Sequence, residues 1–486
     1  AGGVAGAIWI AEKAGFKNLL TFDMGGTSTD VALVQNSSPL KRRETRVADV
    51  TVRASSIDVR TCGAGGGSIA YSPELTKSLR VGPQSAGAVP GPAAYAKGGE
   101  EPTVTDANVA LGYLPSSSKL GGDMVIDSKL AKKSVEKIAT AMDLKTMDAA
   151  EGIYNIVNEN MFGALRLVSV EQGHDPRDFA LIAFGGAGPL HANALGKLTG
   201  SWPVIIPPGP GVLCAYGDAT TRVRNEASRS FIRTFPQTSD KEVNKILKEL
   251  AEKSAKELDA EGVSRKDQTT TYEIDVRYHG QGLVLTIETD AKKFSKGGLS
   301  AIAKEFDKMH EQMYTFALDH DQELVNLRAI QQGKPTKVKA ERVGRGSGEP
   351  KEAVIETTNV FVDGKNRKAK IYDRSLLKSG HSIPGPAIVT EMDSTTLILP
   401  DHVGKVDGFG NILINPTKSA GKSSSSSRSS KGKTSKRKTA KKKAPKRKVA
   451  KKVVKKKAAK KKAAKKKAPK RKVASKKSKK SKSRKR

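Results

Sequence analysis

The chain has 486 residues and a formal net charge of +37, and almost all of that excess lies in residues 417–486, which hold 36 of the 87 basic residues and no acidic residue. Its two cysteines, Cys62 and Cys214, stand far apart and outside any CxxC pair, which argues against a disulfide framework or a thiolate metal site. Because no apolar run reaches the roughly 20 residues of a membrane span and no signal peptide opens the chain, we expect a soluble, cytoplasmic protein with no membrane partner.

The first predicted elements are a helix and a hairpin. Ala1–Ala14, AGGVAGAIWIAEKA, is rich in Gly and Ala and predicts a tightly packed helix that stops at Gly15. Such a segment seldom begins a natural chain, so we expect a truncation before Ala1. Asn18–Phe22 and Val31–Val34 are typical of strands, and Asp23–Asp30, DMGGTSTD, is the turn between them.

Further along, glycine-rich segments alternate with regular structure. Thr61–Ala70, TCGAGGGSIA, is a glycine cluster, and it is followed by a predicted loop, VGPQSAGAVPGPAAY, at Val81–Tyr95. Two helices are expected between Ala131 and Gly173. Phe179–Phe184, FALIAF, is continuously apolar and predicts a strand buried on both faces of an α/β sheet. GGAGP at Gly185–Pro189 then leads into a helix from about Leu190.

A proline-rich connection at Pro203–Pro210 precedes a second part of mixed pattern. Its predicted helices are Lys241–Gly262 and Ala301–Tyr314, and its predicted strands are Thr269–Val276, Leu283–Thr289, Ala353–Val362 and Lys368–Tyr372. We therefore divide the chain into an α/β portion (1–230), a smaller α+β portion (231–416) and a basic tail (417–486). The tail repeats KKKAPKRKVA and has too few apolar side chains to offset chain entropy, so we predict disorder there.

The hairpin turn DMGGTSTD supplies groups that bind a phosphate chain. Glycine allows backbone N–H groups to come close, and hydroxyls donate to phosphate oxygens. Asp23 and Asp30 bracket the turn and are candidate catalytic residues, at which one carboxylate would hold Mg²⁺. The structural alternative is a tight hairpin with polar turn residues. The candidate phosphate-binding residues are Gly25, Gly26, Thr27, Ser28 and Thr29.

Two other glycine turns are candidates for the same site. GGAGP joins a buried strand to a helix, where adenosine or phosphate packs against exposed backbone, unless it is simple strand-to-helix punctuation. In GAGGGS, successive N–H groups would approach substrate or phosphate; a tightly packed loop is the alternative. The residues concerned are Gly185, Gly186, Ala187 and Gly188 in the first turn, and Gly65, Gly66, Gly67 and Ser68 in the second. We expect His174 and His191 to be structural and Asp106 to cap a helix rather than bind metal.

Together these motifs resemble the hydantoinase A/5-oxoprolinase family. They are DMGGTSTDV (Asp23–Val31), GAGGGSIA (Gly63–Ala70), PTVTDAN (Pro102–Asn108), GHDPRDFALIAFGGAGPLHA (Gly173–Ala192) and PPGPGVL (Pro207–Leu213), with RYHGQ (Arg277–Gln281) and GPAIVTEMDSTTLILP (Gly385–Pro400) further on. The resemblance implies an actin-like, ribonuclease-H-like ATPase fold. In that fold DMGGTSTD is the second phosphate-binding hairpin and GGAGP is the adenosine loop.

The same resemblance implies an activity and partners. The activity is ATP-dependent ring-opening hydrolysis of a small cyclic amide, such as 5-oxoproline or a hydantoin, with ATP and Mg²⁺ as cofactors. We expect a hydantoinase B-like subunit or region as partner, an oligomer, and a first phosphate hairpin upstream of Ala1. The alternative is an inactive enzyme-like body whose tail, similar to linker-histone tails, binds nucleic acid or another polyanion in the nucleus.

Overall fold

A computed structural model describes residues 1–42, 44–47, 49–52, 56–118, 121–334 and 338–417. Apart from Thr417, the predicted basic tail lies outside these residues. Within them, no helix has the length and apolar composition needed to cross a membrane. The helices of this part of the chain are α1 (Gly2–Lys13), α2 (Val104–Ala110), α3 (Ser128–Met142), α4 (Thr146–Val168), α5 (Gly188–Thr199), α6 (Leu213–Thr220), α7 (Asp240–Ala260) and α8 (Ala291–Tyr314).

The strands fall into one large sheet and several smaller ones. In chain order they are β1 (Leu19–Met24), β2 (Thr29–Gln35), β3 (Ser38–Pro39), β4 (Lys41–Arg42), β5 (Thr45–Val47), β6 (Val50–Val52), β7 (Ser56–Ile57), β8 (Arg60–Cys62), β9 (Ser68–Tyr71), β10 (Arg80–Ser85), β11 (Ala180–Phe184), β12 (Val204–Ile206), β13 (Arg224–Thr234), β14 (Thr269–Tyr278), β15 (Leu285–Thr289), β16 (Gln322–Gln332), β17 (Arg345–Gly348), β18 (Val354–Val362), β19 (Lys365–Asp373), β20 (Ser379–Pro384), β21 (Ala387–Thr390), β22 (Thr395–Ile398), β23 (His402–Val406) and β24 (Ile412–Pro416).

The large sheet has the order β17-β20-β23-β24-β12-β11-β1-β2-β3, and β8 pairs with β2. Its centre is parallel, since β1 pairs with β11 and β11 with β12 in that sense. The strands β1 and β2 form an antiparallel hairpin. This arrangement confirms the predicted α/β fold class and the predicted hairpin.

Both faces of the central strand β11 are covered, which explains its continuous apolar sequence. Ile182 and Phe184 belong to a core cluster shared with residues of α1 and α6. Leu181 and Ala183 point to the other face and belong to a cluster shared with α4 and α5. Because side chains alternate between the two faces of a strand, every residue of β11 is buried.

A second core lies in the middle of the chain. The strands β13, β16, β14 and β15 form one sheet, and α7 and α8 contribute Leu247 and Phe306 to its apolar cluster. Helix α8 begins earlier than the predicted Ala301. It is interrupted at Gly298, where φ is 53°, and Asp240 Oδ1 accepts from the N–H of Leu299 at 2.8 Å. The carboxylate of Asp240 thus caps the second half of the helix.

The last described strands return to the large sheet. Strand β24 pairs antiparallel with β12, and β23 and β20 extend the sheet beyond it. The strands β18, β19, β21 and β22 form a separate sheet, and its residues pack into the same core cluster as α4 and α5. The domain boundary that we place at residues 230 and 231 stays a prediction.

Some strands were not predicted. The structure has β10 in the segment expected to be a loop, and β12 in the proline-rich connection. Strand β13 was not predicted either, because it is mostly exposed and its sequence shows little alternation of apolar and polar residues. It pairs with β16, which lies far along the chain. These strands are defined by their partners rather than by local sequence.

Candidate functional site

The hairpin turn between β1 and β2 is open and lined by backbone donors. The N–H of Gly25 donates to the carbonyl oxygen of Ser28 at 3.1 Å and closes the turn. Within the described residues, the N–H groups of Gly26, Thr27 and Ser28 have no acceptor. Gly26 and Thr27 are exposed, and a Cβ at Gly26 would meet nothing within 4 Å. The turn therefore has free donors and space for an anion.

The GAGGGS loop lies beneath this turn and supports it. The N–H groups of Gly66 and Gly67 donate to the carbonyl oxygens of Gly25 and Gly26, at 3.0 and 2.6 Å. The N–H of Gly65 donates to Ser68 Oγ at 2.8 Å, and the N–H of Ser68 donates to the carbonyl oxygen of Gly65. A Cβ at Gly65 would lie 2.6 Å from the carbonyl carbon of Gly26, so only glycine fits there.

This arrangement differs from the predicted anion nest. Residues 65–68 are buried, and their N–H groups already donate within the protein. An N–H group that already donates within the protein is not available to bind phosphate. The tightly packed loop, which we gave as the alternative, is what the structure has.

The GGAGP turn adjoins the hairpin from the other side. Gly185 has a φ of 81°, and a Cβ there would lie 2.4 Å from the carbonyl oxygen of Met24. The N–H of Ala187 donates to the same oxygen at 3.0 Å. Helix α5 starts at Gly188 without a side-chain cap, and Gly186 is exposed. The start of α5, with its positive dipole, therefore lies beside Met24 at the end of β1, where it favours an anion.

Two carboxylates stand opposite each other at the base of the hairpin. Asp23 and Asp30 are partners in the β1–β2 register, so their side chains share a face. The thiol of Cys214 donates to Asp23 Oδ2 at 3.4 Å, and the hydroxyl of Thr61 donates to Asp30 Oδ1 at 2.5 Å. Partial burial raises the pKa of Asp23, and the neighbouring charge of Asp30 raises it further.

This pair fits Mg²⁺ better than a structural zinc ion. Like charges directly opposite each other on a sheet repel, and a bound cation would relieve the repulsion. In the part of the chain that is described, no group of three or more His, Cys, Asp or Glu has metal-holding geometry. Zinc normally takes three or four protein ligands, whereas Mg²⁺ is held by one or two carboxylates together with substrate phosphates.

Thr29 does not take its predicted place at the site. Its side chain is fully buried, and its hydroxyl donates to the carbonyl oxygen of Ala64 at 2.6 Å. As the first residue of β2, it follows the strand alternation and points into the core rather than toward the turn. Thr27 and Ser28 remain as hydroxyl donors at the turn.

A second turn, which we did not predict as part of the site, holds the glycine turns in place. We call residues 391–394, between β21 and β22, the clamp turn. The carboxylates of Glu391 and Asp393 accept from the N–H groups of Gly209 and Gly211, at 3.2 and 2.9 Å. Ser394 Oγ donates to the carbonyl oxygen of Gly186 at 3.2 Å. These residues lie within a family motif quoted above, but their sequence alone indicates no such contact.

A buried arginine lies behind the clamp turn. Arg374 donates to the carbonyl oxygens of Ile206 and Gly410, at 3.1 and 2.9 Å, and its guanidinium is 3.7 Å from Glu391 Oε1. Burial lowers the pKa of Arg374 and raises that of Glu391, and the attraction between the two charges opposes both shifts. The pair thus joins the clamp turn to the large sheet.

The three other residues that we considered make structural contacts, as predicted. His191 is fully buried between the side-chain amides of Asn108 and Asn158, and burial lowers its pKa to about 3, so that its ring is neutral. His174 packs edge-on against Phe179. Asp106 forms a capping box with Thr103 at the start of α2.

Comparisons with known proteins give two family matches along the chain. The model of the hydantoinase/oxoprolinase family matches residues 1–227, and the model of its C-terminal domain matches residues 236–409. The chain is 32% identical over 420 residues to a caprolactamase subunit alpha of Pseudomonas jessenii, covering 84% of this chain and 59% of that protein. It is 32% identical over 421 residues to 5-oxoprolinase 1 of Arabidopsis thaliana, covering 82% of this chain and 32% of that protein.

A solved structure shows the same fold. The crystal structure of the ATP-dependent caprolactamase from Pseudomonas jessenii superposes with a TM-score of 0.79 at 29% sequence identity, covering 86% of this chain and 61% of that chain. The chain thus spans about three fifths of the caprolactamase subunit and a third of the plant protein.

Proposed function

Because the chain belongs to the hydantoinase/oxoprolinase family, we propose that it is the ATP-binding portion of an enzyme that opens a small cyclic amide with the help of ATP. The observation that carries this proposal is the meeting of the open hairpin turn, the GGAGP turn and the opposed pair Asp23 and Asp30. Relatives named as an ATP-dependent caprolactamase and a 5-oxoprolinase support the reaction class.

Each part of the site has a distinct task in this proposal. The N–H groups of Gly26, Thr27 and Ser28 bind phosphate oxygens, and the start of α5 at Gly188 adds its positive dipole. Asp23 and Asp30 hold Mg²⁺, whose charge balances the phosphates. The GGAGP turn receives the adenosine, and the clamp turn keeps that turn in position.

When bound, ATP with Mg²⁺ would supply a phosphoryl group to the amide oxygen of the substrate. The amide carbon would then be more electrophilic, so that water can attack it. The chain's own residues orient the nucleotide. Positioning and charge stabilisation of this kind account for most of the catalysis in phosphoryl transfer.

We also propose a partner subunit for this chain. The caprolactamase relative is named as a subunit alpha, and an acetone carboxylase relative from Xanthobacter autotrophicus is named as a beta subunit. A hydantoinase B-like subunit would complete the substrate-hydrolysing part of the assembly.

Titration of the full chain with ATP, with and without Mg²⁺, tests the nucleotide site. We expect Mg²⁺ to raise the affinity of the chain for ATP. Asp23→Asn should lower the affinity for ATP in the presence of Mg²⁺ by about tenfold or more, because charge-assisted contacts are removed. Asp319→Asn is the matched control, because Asp319 is exposed and lies in the loop between α8 and β16, outside the large sheet. Lack of ATP binding by the unmodified chain would contradict the proposal.

The charge of residues 417–486 favours a second function, the binding of polyanions. With 36 basic and no acidic residues, this segment would release counterions from a nucleic acid and bind without sequence preference. Retention on DNA should weaken steeply with salt and disappear when residues 418–486 are deleted. Retention by the shortened chain at equal salt would exclude this second function.

A further inference from the structure

Four polar side chains form a row across the base of the hairpin. Asp23 of β1 is the register partner of Asp30 of β2, and Asp30 is in turn the register partner of Thr61 of β8. Residues that pair in this way project from the same face of a sheet. Cys214, in the first turn of α6, lies at the Asp23 end of the row. We call these four residues the polar row, which has two carboxylates in its middle and a neutral donor at each end.

Each donor of the polar row engages a single oxygen of its carboxylate. The hydroxyl of Thr61 donates to Asp30 Oδ1 at 2.5 Å, and the thiol of Cys214 donates to Asp23 Oδ2 at 3.4 Å. The other two oxygens, Asp23 Oδ1 and Asp30 Oδ2, accept no hydrogen bond from the described residues. Asp23 Oδ1 lies beside the GGAGP turn, because a Cβ at Gly185 would be 2.5 Å from it. One oxygen of each carboxylate is therefore available to a cation.

The fold holds both donors in place. Thr61 is the middle residue of β8, and the residues on either side of it also pair with β2. Helices α1 and α6 pack together in one apolar cluster. Their approach is close, since a Cβ at Gly3 of α1 would lie 3.0 Å from Cys214 Sγ. The strand register and this helix packing thus fix the two ends of the polar row.

We propose that Thr61 and Cys214 are positioning residues for the carboxylates that hold Mg²⁺ at the nucleotide site. The inference rests on the proposed function and extends it to two residues that act through Asp30 and Asp23. A donor bonded to one oxygen restricts the rotation of the carboxylate and keeps the other oxygen available, as outer-shell partners of metal ligands do. Because both donors are neutral, they do not cancel the negative charge that attracts the cation, as a lysine or arginine there would.

The two donors differ in strength. An O–H···O⁻ bond of 2.5 Å is at the short end of charge-assisted hydrogen bonds, whereas a thiol is a weak donor. Thr61 should therefore contribute more to the holding of Mg²⁺ than Cys214.

Titration of the full chain with ATP, with and without Mg²⁺, tests the role of Thr61. The quantity compared is the gain in ATP affinity that Mg²⁺ gives. We expect Thr61→Val, which keeps the shape of the side chain and removes the donor, to reduce this gain by about tenfold. Thr61→Ala should do the same, and Thr61→Ser, which keeps the hydroxyl, should keep most of the gain. Thr357→Val is the matched control, because Thr357 is an exposed residue of β18, outside the large sheet.

The same titration tests Cys214. Cys214→Ala should reduce the gain from Mg²⁺ by a smaller factor than Thr61→Val, and Cys214→Ser, which restores a donor, should keep it. Urea unfolding of each variant shows whether it is folded, and we expect unchanged midpoints for the Thr61 variants because Thr61 is exposed.

The outcomes separate this inference from the function on which it rests. An undiminished gain in Thr61→Val, or an equal reduction in Thr61→Ser and Thr61→Val, overturns the role of Thr61 even when the unmodified chain binds ATP with Mg²⁺ as proposed. A gain that falls as far in Cys214→Ser as in Cys214→Ala overturns the role of Cys214. An unmodified chain that binds no ATP, or gains nothing from Mg²⁺, contradicts the proposed function and overturns the inference with it.

Discussion

Two adjacent glycines of the GGAGP turn should respond very differently to the same substitution. In Gly185→Ala, the new Cβ would lie 2.4 Å from the carbonyl oxygen of Met24 and 2.5 Å from Asp23 Oδ1, at a φ of 81°. In Gly186→Ala, the nearest neighbour would be the carbonyl oxygen of Asp393, at an ordinary 3.5 Å. Gly186 is thus a matched control one residue away.

The expected cost follows from these contacts. A left-handed backbone costs an alanine about 1–2 kcal/mol, and overpacking against a backbone atom adds about 1–3 kcal/mol. We therefore expect Gly185→Ala to lower the free energy of unfolding by about 2–5 kcal/mol, and Gly186→Ala to change it by less than about 0.5 kcal/mol. Since the strain falls on Met24 and Asp23, Gly185→Ala should also weaken ATP binding.

Urea unfolding followed by tryptophan fluorescence measures the difference. Both tryptophans report on the large sheet, because Trp9 packs against the cluster of α1 and α6 and Trp202 against the cluster on the other face. The ATP affinity of each variant is measured in parallel. Equal unfolding midpoints for the two variants would refute the argument from backbone conformation and contact.

Three further predictions concern single groups. Gly26→Ala should leave stability unchanged, since its Cβ meets nothing within 4 Å, but should weaken ATP binding in a titration; unchanged affinity would place phosphate elsewhere. His191 has a folded-state pKa of about 3, below its unfolded value, so the unfolded state binds more protons between about pH 6.5 and 3. Acidification in this window should therefore lower the free energy of unfolding, by up to about 1.4 kcal/mol per pH unit, and urea titrations of His191→Gln should lack this contribution. Arg374→Met leaves the carboxylate of Glu391 without its ion-pair partner and should lower the free energy of unfolding by about 3–5 kcal/mol in the same assay. Adding Glu391→Gln should recover part of this loss. A double variant as unstable as the single one would exclude the pairing.

Sequence patterns predicted those elements whose structure is indicated by their own residues. FALIAF predicts β11 because both faces of that strand are covered, and the spacing of DMGGTSTD predicts the hairpin that brings Asp23 opposite Asp30. The resemblance to a family assigned the hairpin and the GGAGP turn to phosphate and adenosine of one nucleotide, and the structure has the two turns in contact.

What the sequence did not predict depends on contacts between distant segments. The contact of the clamp turn with residues 209–211 joins segments far apart in the chain, and no local pattern indicates it. In the sequence, Thr29 resembles a residue of the turn, but the register of β1 and β2 directs its side chain into the core. The glycines of GAGGGS predict an anion nest, but in the structure the N–H groups of Gly66 and Gly67 donate to the hairpin.

The pairing of β12 with β24 has a consequence for how the chain reaches its native state. Val204 is the register partner of Ile414, so this edge of β12 is completed by β24, a strand that follows much later in the chain. Closing such a long loop is entropically slow, and sheets built from distant strands fold slowly for that reason. During synthesis, the strands of the proposed nucleotide site would emerge before β24, so one edge of β12 would stay open to aggregation until β24 is made.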